Sequence, residues 1–558
     1  MNPHKGVWAT GAESIVWTLE ALGVTTIFGI PGGNVIPLYD ALFDSRTIRH
    51  ILARHEQGAG HAAEGFATAA GEIGVAIATS GPGATNLVTP IAHAYFNSVP
   101  LLLITGQVMS SLRGTDAFQQ GDIVGITMPI VKHSLLVERV DEIPNALVDA
   151  HGIATSGRPG PVLVDITKDA QQARAQYVLP ELGAPDRLKP AALSAGQVDA
   201  AVARIGCAVR PVIYAGRGVV SSGAGADLCR LVNYTGIPVV TTPAAAGAFP
   251  AKHHLNLGVA AGRDTSAANE ALRSADLVVA IGAGIDRRRM TEEGRIAESV
   301  EIIQVNIDPT EMPVSKPSSV SILGDAGEAI SALLAAAVAV GIEGRSAVWS
   351  GRREVAVQSR KAVNRIDPRD ERLCGERVVG RIVELSGANA IVATGWGHGF
   401  STITSDLSRQ HLGHLLDAAP ASVMGYAIAA AMGAKLATPE RVVWAIESNR
   451  SFQMGNQELA TCIMNGVAIK VAVLNPTSRD DRGVPDVVKL AESYGALAVR
   501  VHSVTELEDA VKLSMATNDR CVVIDIVLSE NSSCGSLGES HSSQRNNYPA
   551  IGSPGRAN

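Results

Sequence analysis

Aromatic residues are scarce in this 558-residue chain, at 4% of the total, so the interior must be filled by small aliphatic side chains in close contact. Six cysteines (Cys207, Cys229, Cys374, Cys462, Cys521 and Cys534) never fall in a C-x-x-C spacing, which argues against a zinc or dithiol redox motif. They read as small buried hydrophobes in a reducing compartment. No apolar run is long enough to span a bilayer, which needs about 20 residues. The Met1-Asn2-Pro3-His4-Lys5 start lacks the apolar segment of a signal peptide, so a cytoplasmic protein without a membrane partner is expected. Positive charge is not in excess: the net charge of −7 offers no basic field for nucleic acid. The expected partners are a small-molecule substrate and sister subunits.

What is abundant is alanine, valine and 56 glycines, within a hydrophobic content of 46%. The length fits roughly three domains of ordinary size. Apolar, β-branched runs alternate with helix-length amphipathic segments, the pattern of parallel sheets with crossover helices. Gly74–Thr79, Pro100–Thr105 and Val162–Ile166 read as buried strands ending in turn chemistry. The pattern breaks at 177–197, with Pro180, Pro185 and Pro190, and again at 349–372. The fold class is therefore α/β, with three doubly wound domains at about 1–180, 195–345 and 370–530. The Ser-, Asn- and Gly-rich segment 531–558 is expected to be disordered.

Two tracts carry most of the functional signal, Arg54-His55-Glu56-Gln57-Gly58-Ala59-Gly60-His61-Ala62-Ala63-Glu64-Gly65 and Thr79-Ser80-Gly81-Pro82-Gly83-Ala84-Thr85-Asn86. With Phe28-Gly29-Ile30-Pro31-Gly32-Gly33, Thr105-Gly106-Gln107-Val108, Thr115-Asp116-Ala117-Phe118-Gln119, Val131-Lys132-His133 and Ser156-Gly157-Arg158-Pro159-Gly160-Pro161-Val162, they form an ordered set. That set resembles acetohydroxyacid synthase (acetolactate synthase), a flavin-containing branch of the thiamine diphosphate enzymes. The resemblance implies pyrimidine-binding, central FAD-type and diphosphate-binding domains. It puts Glu56 at the carboxylate that favours the cofactor's imino tautomer, and Gln119, Phe118 and Lys132 at the substrate channel, the lysine attracting a 2-oxo acid carboxylate. Gly32, Gly81 and Gly83 fall at cofactor-binding positions. The helix of small residues after Glu56 lies at a dimer interface in the family, so a homodimer or homotetramer is implied. His93 replaces an acidic residue of the family, and no role is assigned to it.

In the middle third, Pro211–Gly218 reads as a strand entering a glycine turn, which lets backbone N–H groups approach a phosphate. Gly216, Arg217, Gly218, Thr241, Gly282, Asp286, Arg288 and Asp308 follow the family's order for wrapping FAD, although Gly284 and Ile285 replace its usual arginine and phenylalanine. Arg263 and Arg287 are further candidates for an adenosine diphosphate. An empty structural domain is the plainer alternative.

The last third departs from the family. Ser451-Phe452-Gln453-Met454 and Gln457-Glu458-Leu459-Ala460-Thr461-Cys462 anchor the register and put Asn449 and Pro476 at the two magnesium-ligand positions. Proline has no side-chain oxygen, and asparagine lacks the charge that helps strip water from magnesium. Ala418-Ala419-Pro420-Ala421-Ser422-Val423 replaces a glycine-rich loop, and the family's tryptophan loop after the second ligand is missing. Met424 keeps the place of the bulky residue that bends the cofactor. Arg450 is a candidate cation in place of magnesium. These losses argue against magnesium and against ordinary acetolactate formation, and they bring thiamine diphosphate binding into question while leaving FAD. Three readings stay open: an enzyme acting on a 2-oxo acid or related small carbonyl compound, a thiamine-independent FAD enzyme on the same scaffold, and a noncatalytic partner of a true synthase.

Overall fold

A computed structural model describes residues 6–182, 192–250, 252–260, 267–285, 290, 296–297, 299–312, 320–344, 371–387, 389–395, 414–418, 422–476 and 485–529. It contains three parallel six-stranded sheets, each covered by helices. The first holds β1 (Thr26–Gly29), β2 (Arg49–Leu52), β3 (Gly74–Ala78), β4 (Leu101–Gln107), β5 (His133–Val137) and β6 (Pro161–Thr167), in the spatial order β2-β1-β3-β4-β6-β5. Strands β3, β4 and β6 are buried along their whole length, as near-continuous apolar runs require of central parallel strands. A short antiparallel pair, Trp8–Thr10 with Arg174–Gln176, closes this domain on itself.

The middle sheet holds β7 (Pro211–Ala215), β8 (Val239–Thr241), β9 (Asn256–Val259), β10 (Leu277–Ile281), β11 (Glu301–Asn306) and β12 (Val320–Leu323), ordered β9-β8-β7-β10-β11-β12. Counted within the domain this is 3-2-1-4-5-6, the dinucleotide-binding order, whose ligand crevice opens between β7 and β10. The third sheet holds β13 (Ile391–Thr394), β14 (His414–Asp417), β15 (Val443–Ser448), β16 (Lys470–Pro476), β17 (Leu497–Val501) and β18 (Val522–Leu528), ordered β14-β13-β15-β16-β18-β17. That repeats the order of the first sheet strand for strand.

Helix α1 (Glu56–Ala70) joins the first domain to the third. It starts at His55, whose ring Nδ1 accepts from the Gln57 amide at 3.0 Å, and stops at Gly71, whose φ of 74° takes the chain out of the helix. The glycine and alanine face of α1 lies directly on α5 (Tyr426–Ala437) of the third domain, and the two domains share one apolar core. A Cβ at Gly65 would stand 2.0 Å from the Ala430 carbonyl oxygen, and one at Gly433 would stand 1.8 Å from that of Ala62. The close approach expected of this helix is therefore met inside the chain, and it no longer argues for a second subunit. The cysteine expectation also needs correction. Cys462 and Cys521 are free and buried, but Cys207 is free and exposed, and Cys374 is disulfide-bonded. Among the described residues no helix is long and apolar enough to cross a membrane.

Candidate active site

In open parallel sheets ligands gather beyond the strand carboxyl ends where the strand order reverses, in the first sheet between β1 and β3. Glu56 stands there, half-buried at the head of α1. Asn86 Nδ2 donates to its Oε2 at 2.8 Å, and among the described residues Oε1 receives no hydrogen bond. The turn after β3 comes against this carboxylate at Gly83, whose added Cβ would touch Oε1 at 3.4 Å and press on Thr79 Cγ2 at 2.8 Å. Gly81, at φ 58°, lets the same turn meet Gln119, whose carbonyl oxygen would be 3.0 Å from an added Cβ. Gln119 itself holds φ 61°, a strained value for a residue with a side chain. Gly32 fits against Thr79, 2.5 Å from where its Cβ would be. Glu56, Gly81, Gly83 and Gln119 are thus brought together, while Phe118 is 86% exposed at the rim.

Lys132 goes elsewhere. Its ammonium donates to the carbonyl oxygens of Ile153 and Ser156, the latter at 2.7 Å, at the C-terminal end of α3 (Ile143–Thr155). Burial pulls its pKa down to about 8, with Asp308 opposing the shift and Arg158 adding to it.

The glycine turns of the middle sheet open on a cleft of about 810 Å³, lined by Gly216, Arg217, Gly218 and Gly282 and closed by residues of both other domains. Gly216 and Gly218 pack on Gly282 so tightly that added Cβ atoms would fall 2.3 and 2.6 Å from its backbone. Arg217 opens α4 (Arg217–Ser221), and its Nε is buried without a partner. Thr241 ends β8 behind this wall, and Asp308 turns to Arg158 (3.5 Å) and to the Thr310 amide (2.9 Å). Asp286 and Arg288, with Arg263 and Arg287, lie outside the described residues.

On the far wall of the cleft are Glu64, Asp417 and Tyr426. His93, on α2 (Val88–Asn97), reaches the two Glu64 oxygens from Nδ1 at 2.7 and 2.9 Å, and its Nε2 donates to the Ala418 carbonyl at 3.1 Å. Burial alone would drive His93 down, but the Glu64 carboxylate and these acceptors raise it. Burial likewise opposes ionisation of Glu64, yet the facing His93 and His61 hold its carboxyl well below the ordinary range.

In the third sheet the order reverses between β13 and β15, so the corresponding position lies beyond Thr394 and Ser448. Asn449 opens α6 (Asn449–Gly455) there. Its Oδ1 accepts from Gln453 Nε2 at 2.6 Å, and its Nδ2 is buried with no partner. Arg450 is exposed, and Pro476 closes β16 in register with Leu528. Met424 is half-buried in the turn that enters α5 through Gly425 at φ 79°.

Family models match in the same order as the three sheets. The N-terminal TPP-binding domain of thiamine pyrophosphate enzymes matches residues 9–126, the central domain 198–333, and the C-terminal TPP-binding domain 398–479. The chain belongs to the thiamine pyrophosphate enzymes. Within them it is acetolactate synthase-like, on a thiamine-type carboligase scaffold. An acetolactate synthase large subunit of Corynebacterium glutamicum is 40% identical, with 97% of this chain and 90% of the relative covered. An acetolactate synthase of Mycobacterium bovis is 41% identical over 93% of this chain and 88% of its own length. A large subunit of Haemophilus influenzae is 32% identical over 94% and 95%.

For a thiamine pyrophosphate enzyme the pyrimidine side presents Glu56 with its Asn86 contact, and the family's two metal-ligand positions hold Asn449 and Pro476, neither of them a carboxylate. Asn449 Oδ1 already accepts from Gln453, and its Nδ2 is buried without a partner. Sequence reasoning passed over two residues of the pyrimidine side. Asn86, already within the quoted tract, fixes Glu56. Glu458 opens α7 (Glu458–Asn465) and crosses from the third domain to accept from the Arg54 and His55 amides at 3.1 Å each, just before Glu56. Gly58 leaves room for it, since a Cβ there would be 2.3 Å from Glu458 Oε1.

Proposed function

We propose that the protein is an acetolactate synthase-like enzyme that acts on a 2-oxo acid or related small carbonyl compound. In this reading FAD occupies the cleft of the middle domain and thiamine diphosphate is held without magnesium, so ordinary acetolactate formation is not its main activity. The observation that carries the proposal is the contrast between Glu56, whose Oε2 is held by Asn86 while Oε1 stays open, and Asn449, a neutral side chain whose one oxygen already accepts from Gln453. Thiamine diphosphate, when bound, supplies the carbon nucleophile for the carbonyl substrate. Glu56 Oε1 would hold the hydrogen bond that favours the cofactor's imino form, Gln119 borders the same space, and Met424 would hold the bulky position that the resemblance assigns to it. The cleft volume falls within the roughly 300–1,000 Å³ of small-molecule sites, and the strand order of the middle sheet supports a dinucleotide. Asn306 and Asp325 join Arg217 and the glycine turns as its candidate holders. A homodimer or homotetramer remains part of the proposal and rests on the family alone.

Isothermal titration with thiamine diphosphate, with magnesium and with chelator, tests this reading together with a visible spectrum of the purified protein. We expect a yellow protein and equal heats in the two titrations. Heat only with magnesium overturns the metal-free grip. A yellow protein with no heat in either condition gives the answer to the alternative, a thiamine-independent flavoenzyme, which the dinucleotide order of the middle sheet favours.

A further inference from the structure

Helix α1 carries His61 and Glu64 three residues apart, hence on one face, and α2 brings His93 across to meet them. All three side chains are at most 1% exposed. His61 Nδ1 lies 3.5 Å from Glu64 Oε2, His93 Nδ1 lies 2.7 Å from Oε1, and one ligand atom from each residue falls within 4.8 Å of the others. His61 Nε2 is buried and has no hydrogen-bond partner. Such a group has no part in the chemistry proposed for Glu56, and its members are separate from Asn449 and Pro476.

We propose that His61, Glu64 and His93 form a binding site for one divalent transition-metal ion of the zinc type. Two imidazoles and one carboxylate are the donor set of open zinc and related sites, whereas magnesium and calcium call for oxygen throughout. Ligand atoms around a tetrahedral zinc at about 2.0–2.1 Å stand about 3.3 Å apart, so these donors need only side-chain adjustment. The ion would displace the proton that His93 shares with Glu64. His93 would keep its Nε2–H bond to the Ala418 carbonyl, the outer contact that orients a ligating histidine. Tyr426 packs on both rings, at 5.1 Å from His61 and 4.5 Å from His93, and holds them in place. Asp417 and Arg217 act on the cluster from the neighbouring elements with opposite sign, and Glu64 borders the interdomain cleft, which gives the ion access and an open coordination position.

The full chain, stripped with chelator and incubated with Zn²⁺, is passed through gel filtration and its metal measured by mass spectrometry. Wild type and Cys207→Ser should each retain about one ion per chain, the latter because the exposed thiol is not a ligand. His61→Ala and His93→Ala should retain none while keeping the wild-type circular dichroism spectrum. X-ray absorption of the wild-type zinc protein provides a measurement that needs no variant, and a shell with two imidazoles is expected. No retained zinc in wild type, retention in both histidine variants, loss in Cys207→Ser, or a shell without imidazole would each overturn the assignment.

Discussion

The first and third sheets share one strand order and differ at the point where that order reverses. In the first, the turn after β3 converges on Glu56, with a donor on one carboxylate oxygen and glycines where backbone must come close. In the third, the matching position holds Asn449 bound to its own helix through Gln453, and a buried Glu447 whose Oε2 has no partner. The scaffold is equal in the two; the chemistry is not. Strand order is set by the apolar cores, which both sheets retain, whereas a site depends on a few side chains at strand ends that the cores do not constrain.

The comparison can be broken at either end. The largest effect is expected at the first sheet: Glu56→Gln should lower turnover of a 2-oxo acid roughly 10²–10⁴-fold in steady-state kinetics, the range for loss of a proton-transfer group. Unchanged turnover would mean that the first site keeps only its form. Next comes the contact that joins the two sheets. Gly433→Ala puts a methyl group into the Ala62 carbonyl and should cost about 1–3 kcal/mol or more of stability, read by denaturant unfolding.

The third effect concerns Glu447, fully buried, whose carboxyl is pushed up to about 7 by burial against the pull of Ser451 and the Ala427 amide. A carboxyl raised in the folded state favours folding while protonated, so its contribution is complete below about 4.5 and is lost as pH rises through about 7. Glu447→Gln should therefore raise the unfolding free energy at pH 8 by on the order of 3 kcal/mol at most, seen as a higher melting temperature, and leave pH 4 nearly unchanged. An equal shift at both pH values would show that ionisation is not the cause. The smallest effect tests the missing ligands. Asn449→Asp combined with Pro476→Asn should make thiamine diphosphate binding magnesium-dependent, tightening it about tenfold, or ~1.4 kcal/mol, in titration calorimetry. No magnesium dependence in the double variant would place the difference between the sheets in the surrounding loops.

Much of the architecture was legible in the chain itself, because strands buried on both faces are written as unbroken apolar runs such as Leu101–Ile104, and the turns after them are marked by glycine. Glu56 was legible through the resemblance that its tract carries, although Asn86, which holds it, lies 30 residues away. The rest was hidden by distance. Glu458 meets the head of α1 across a separation of 404 residues, and His93 meets Glu64 across 29, so no local pattern announces either pair. Lys132 is a different case. The resemblance puts it at a substrate channel, while the carbonyls of Ile153 and Ser156 that hold its ammonium are brought to it only once α3 has formed. The helix after Glu56 announced close packing correctly and left its partner undetermined, since glycine and alanine spacing says nothing of which chain supplies the opposing backbone.

The contacts of Gly65 with Ala430 and of Gly433 with Ala62 also bear on how such a protein changes over generations. Neither helix can accept even one extra methyl group unless the other backbone retreats, so the two outer units are bound to vary jointly, in small compensated steps. The side chains at the strand ends of the two outer sheets, Glu56 and Asn449 among them, are not part of that backbone contact. A lineage can therefore rewrite its reactivity there, one substitution at a time, while the frame beneath stays frozen.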